Sequence, residues 1–78
     1  LKGQHLLTEL VTEMNQQGFS RLSIQENGDV VVQENGKYVV KDHVLDFPQK
    51  KNWLDLKKMM MDTGIKVRIN EKKMTFMW

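Results

Sequence analysis

The sequence predicts an α+β fold in two layers, an antiparallel sheet with two helices packed on one of its faces, in the order α-β-β-β-(β)-α-β-β. Three observations predict it. Two amphipathic stretches each stop at a glycine followed by an apolar residue, Gly18-Phe19 and Gly64-Ile65. Two Asn-Gly pairs, Asn27-Gly28 and Asn35-Gly36, punctuate short apolar runs in hairpin fashion. A chain of 78 residues, 40% hydrophobic and 28% charged, can fill one modest core but not two. Residues 1–78 are therefore expected to form a single small domain. Because the chain starts at Leu1 and ends at Trp78 inside an expected strand, a piece excised from a larger protein is one reading.

The first helix is read from Leu6, Leu7, Leu10, Val11 and Met14, one stripe of a 3.6-residue period, with Thr8, Glu9, Thr12, Glu13 and Gln16 on the other side. Gly18 suits the left-handed residue after the helix, and Phe19 the apolar contact that follows it. A three-stranded meander comes next. Taken as two-residue type I′ loops, the Asn-Gly pairs place Ile24 opposite Val31 and Val31 opposite Val40. Leu22, Gln33 and Tyr38 then share their face, while Val30, Val32 and Val39 fall on the other with Ser23, Gln25 and Lys41. A short edge strand is expected at about Val44–Phe47, ended by Pro48, which lacks a ladder donor.

Asn52 is the expected N-cap of the second helix, with Asp55 favourable to its dipole. Trp53, Leu56, Met59, Met60 and Thr63 form its main stripe, and Leu54 and Met61 widen the apolar arc to roughly 220°, more than one sheet face needs. The last hairpin alternates Val67 and Ile69 in one strand and Met74, Phe76 and Trp78 in the other, around the polar turn Asn70-Glu71-Lys72-Lys73. The aromatic residues Trp53, Phe76 and Trp78 read as core by their periodicity.

Charge is unevenly divided. Residues 1–47 carry four basic and seven acidic side chains, net −3; residues 48–78 carry eight and three, net +5, giving +2 for the whole. The eight cations are Lys50 and Lys51 before the second helix, Lys57 and Lys58 on it, Lys66 and Arg68 on one strand face, and Lys72 and Lys73 at the final turn. Cations drawn from several elements can straddle phosphates and release counterions, so the expected function is a non-enzymatic nucleic-acid-binding module, for DNA or RNA, of regulatory or accessory kind. Arg68 is the candidate for a bidentate base contact. The alternative is a protein-interaction or dimerisation module using the Met-rich second helix or an open sheet edge, since four of the six methionines are Met59, Met60, Met61 and Met74.

Other classes find little in the sequence. Cysteine is absent, which excludes disulfides, zinc–thiolate sites and cysteine nucleophiles. His43 follows Asp42, and successive strand residues point to opposite faces, so the two do not make an obvious pair. His5 and Glu9 have metal-compatible spacing, but two ligands do not make a site. No catalytic residue, metal or cofactor is expected. No apolar run is long enough to span a membrane and no signal-peptide pattern is present, so a cytoplasmic protein with no membrane partner is expected.

Phe47-Pro48-Gln49-Lys50-Lys51, followed by a helix ending at Gly64, resembles the closing segment of HicA-type toxins. That resemblance implies an α-β-β-β-α fold and RNA cleavage by a strand histidine; here Val30 to Gln33 holds no histidine and the final hairpin is extra. The element order is also similar to that of double-wing DNA-binding domains, without a shared motif.

Overall fold

The computed structural model describes residues 3–78. Helix α1 spans Gly3–Gln16 and buries Leu7, Leu10 and Met14, with Val11 beside them. Its end is a Schellman motif: the Phe19 N–H donates to the Met14 carbonyl (2.9 Å) and the Gly18 N–H to that of Asn15 (3.0 Å). The strands are β1 (Arg21–Gln25), β2 (Asp29–Glu34), β3 (Lys37–His43), β4 (Lys66–Ile69) and β5 (Lys73–Met77). A 3₁₀ turn over Lys50–Asn52 leads into helix α2, Trp53–Met61. All pairings are antiparallel and the sheet order is β3-β2-β1-β5-β4. The predicted α+β architecture is what the chain adopts, and both helices cover the same face.

The core lies between the layers. Leu22, Ile24, Val30, Val32, Val67, Met74 and Phe76 from the sheet meet Leu7, Leu10 and Met14 from α1 and Trp53, Leu56 and Met60 from α2. Trp53 is the largest buried side chain, and its indole N–H donates to the Pro48 carbonyl at 2.9 Å, so the polar atom of a buried aromatic is satisfied.

Three expectations are corrected. First, Asn27-Gly28 is not a two-residue loop. Ile24 pairs with Val30 and Ser23 with Val31, leaving Glu26-Asn27-Gly28 as a three-residue connection. Only Gly28 takes positive φ there (+95°), and its N–H donates to the Gln25 carbonyl (2.8 Å). Asn27 stays at negative φ and uses its side chain instead, accepting the Asp29 N–H at 2.9 Å. The one-residue shift turns Val30 and Val32 inward with Leu22 and Ile24, and sends Val31 outward to join Ser23. Asn35-Gly36 does form the two-residue loop, both residues at positive φ, and Val31 does face Val40.

Second, Val44–Phe47 is not a strand. Strand β3 ends at His43 after a register irregularity opposite Val30/Val31, and Asp46 turns the chain at φ 56°. Buried Val44 donates its N–H to the Gly28 carbonyl (2.8 Å), and Phe47 packs against Trp53 with ring centroids 6.2 Å apart. Third, Asn52 makes no side-chain cap; the preceding 3₁₀ turn supplies the entry to α2. No helix among the described residues is long and apolar enough to cross a membrane.

Candidate functional site

The helices leave the other face of the sheet open, and strand alternation decides what it displays. One row runs across all five strands: Arg68, Thr75, Ser23, Val31 and Val40, each paired with the next. To one side lie Lys66, Met77 and Arg21, again in register, with Gln33 opposite Tyr38 on the far strands. To the other side lie Lys73 opposite Gln25, and Asp29 opposite His43.

The twist of the sheet draws one diagonal of this face together. Lys73, from β5, reaches across to place its ammonium 5.3 Å from the ring centroid of Tyr38 on β3. Beneath them the Ser23 and Thr75 hydroxyls share a hydrogen bond of 2.9 Å, which satisfies the polar atom of buried Ser23. The result is a hollow of about 550 Å³ into which Arg21, Arg68 and Lys73 project beside Gln33, Asn70 and Tyr38. Among the described residues none that lines it is acidic.

A second depression, about 780 Å³, follows the outer edge of β4 beside α2. Lys50, Lys57, Lys66 and Arg68 border it, with Leu54 and Met61 exposed between them. Arg68 belongs to both depressions.

The eight cations expected from the sequence thus divide. Lys50, Lys57, Lys66 and Arg68 gather along the β4 edge, and Arg68 and Lys73 meet on the open face. Lys50 is partly committed within the fold: it lies 3.8 Å from Glu26 and donates to the Glu71 carbonyl, tying the 3₁₀ turn to two hairpin loops. Lys72 sits on the β4–β5 turn near Gln25 and Glu71. Lys51 and Lys58 are exposed and line neither depression. The turn itself is held by Asn70, whose Oδ1 accepts the N–H groups of Lys72 (3.0 Å) and Lys73 (3.2 Å).

Sequence reasoning missed Arg21 and Tyr38. Arg21 lies in the acidic half, so the charge split conceals it, although alternation within β1 puts it on the face opposite Leu22 and Ile24. Tyr38 was legible as the neighbour of Gln33 across the Asn35-Gly36 turn, but its 68% exposure was not. The pairing of His43 was also missed: its Nδ1 donates to Asp29 Oδ1 at 2.8 Å, while its backbone N–H donates to Asp42. Asp29 additionally accepts from the Asn27 amide (3.1 Å). These bonds, that from His43 foremost, hold the Asp29 carboxyl below its ordinary pKa.

The Met-rich segment divides between core and surface. Met60 and Met74 are fully buried, whereas Met61 is half exposed in the β4 groove. Strand β3 forms the opposite edge of the sheet and is exposed along its length, including Tyr38, Val39 and Val40.

No protein-family model, curated protein or solved structure matches this chain, so neither resemblance noted in its sequence gains support from a match.

Proposed function

We propose that this domain binds nucleic acid through the open face of its sheet. One observation carries the reading: Arg21, Arg68 and Lys73, from three different strands, converge on a hollow with no carboxylate among its described lining residues. A polyanion placed there exchanges its condensed counterions for fixed cations, and the gain is entropic and sensitive to salt. The β4 groove extends the positive surface around the sheet edge through Lys57 and Lys66. The reading is of a regulatory or accessory role, which binding alone would serve.

Fluorescence anisotropy of labelled oligonucleotides across a salt series tests this. Three phosphate contacts give a slope of log affinity against log salt of about −2 to −3. Reversing charge at Arg21 and Arg68 together should flatten the slope and abolish binding at moderate salt. The same reversal at Lys58, which lines neither depression, should change affinity less than about twofold. Absence of binding at low salt, or equal effects of these variants, rejects the reading.

A second reading is favoured by the free β3 edge. Its exposed Tyr38, Val39 and Val40 leave a strand open to pairing with another protein or a second copy. Sedimentation at micromolar concentration measures self-association, and a species that stays monomeric counts against the homodimer.

A further inference from the structure

Resting on the nucleic-acid reading above, we infer that the hollow selects a single strand, with one base stacked on Tyr38 and the flanking phosphates on Arg21 and Arg68. Tyr38 is an aromatic residue left exposed at the rim of a cationic hollow, and its ring face already accepts a cation, the Lys73 ammonium at 5.3 Å. A ring in that position offers a base the platform that single strands use irrespective of sequence. Gln33, directly opposite Tyr38, places an amide beside the platform where a base edge would lie.

The shape of the site points the same way. About 550 Å³ falls in the range of pockets that enclose small ligands, and a nucleotide unit enters such a space. A duplex keeps its bases stacked inside and offers the face only phosphates and groove edges, so it leaves the Tyr38 ring unused. Lys73 couples the two contacts. A base arriving on the ring displaces the ammonium, which then stands free to meet the adjoining phosphate. The displaced contact is an exposed cation–π pair, weaker than the stacking that replaces it.

The test compares an oligothymidylate and an oligouridylate of about twelve nucleotides, within the span that single-strand modules cover, with a duplex of equal length and with heparin. Single strands should bind at least tenfold tighter than the duplex at equal salt, the two probes presenting the DNA and the RNA form of a pyrimidine strand. Tyr38→Ala should weaken single-strand binding about tenfold to a hundredfold. Tyr38→Phe should restore it, and heparin binding by Tyr38→Ala should be unchanged, because heparin has no bases. Since Tyr38 is exposed, both variants should retain the thermal unfolding midpoint of the parent chain. Duplex binding as tight as single-strand binding, or a Tyr38→Ala effect under twofold, overturns single-strand selection while leaving the broader reading intact. Failure of every oligonucleotide to bind at low salt overturns both.

Discussion

Of Gly18, Gly28, Gly36 and Gly64, Gly28 is the one with least room for a side chain. A Cβ built there would lie 2.2 Å from the Val44 carbonyl oxygen and 3.3 Å from the His43 ring. The first of these is main chain, so it can yield only by moving the end of β3. That movement breaks the Val44-to-Gly28 hydrogen bond of 2.8 Å and loosens the burial of Val44. The φ of +95° adds the penalty of a left-handed L-residue. Strain of about 1–2 kcal/mol and a lost hydrogen bond of about 0.5–1.5 kcal/mol sum to about 1.5–3.5 kcal/mol for Gly28→Ala. Gly36 provides the control: its φ is +80°, but nothing lies within 4 Å of its built Cβ, so Gly36→Ala should cost only the strain. For a chain of 78 residues the whole stability is of order 4–12 kcal/mol, so the Gly28 substitution removes a large share of it. Urea unfolding of the two variants measures the difference, with the m-value checking that the transition is unchanged in kind. Equal midpoints for the two alanine variants would refute the close approach of the β1–β2 loop to the end of β3.

Further outcomes are expected. Met60→Ala should destabilise the fold by about 2–5 kcal/mol because Met60 is fully enclosed, whereas Met61→Ala, at a half-exposed site, should stay within about 0.5 kcal/mol; thermal melts distinguish them. Ser23→Ala leaves the Thr75 hydroxyl without its partner and should cost about 1 kcal/mol, and a double-mutant cycle with Thr75→Val should recover part of that loss. The Asp29 carboxyl is held below its ordinary value of 3.8 in the folded state. Its contribution to stability is therefore present above that value and lost as pH falls through the lowered folded pKa. Asp29→Asn should flatten this acid limb, read as the change in unfolding midpoint between neutral and acid pH.

Local signals dominate where the sequence was legible. Helix α1, its Gly18-Phe19 stop, the body of α2 and the β4–β5 hairpin are each specified within a few residues and form where expected, although α2 lacks the Asn52 side-chain cap and β5 runs from Lys73 to Met77. The β1–β2 register was not legible because Asn-Gly serves two loops. In Asn35-Gly36 both residues take positive φ, but at Asn27-Gly28 the following Asp29 gives the asparagine side chain a partner, and only the glycine does. That single difference decides whether Val31 or its neighbours Val30 and Val32 share the face of Ser23, and so which residues floor the hollow. Val44–Phe47 carries strand-like composition, yet Trp53 and the Gly28 carbonyl claim it for packing. The site itself depends on pairs remote in sequence, such as Ser23 with Thr75, which periodicity does not encode.

The seat of β5 carries a consequence for the making of the protein. Residues 73–77 slot beside 21–25 and separate them from β4. During synthesis the middle of the sheet stays unfilled until nearly the last of these amino acids has left the ribosome. Arg21 and Arg68 share a surface only once β5 joins their two strands.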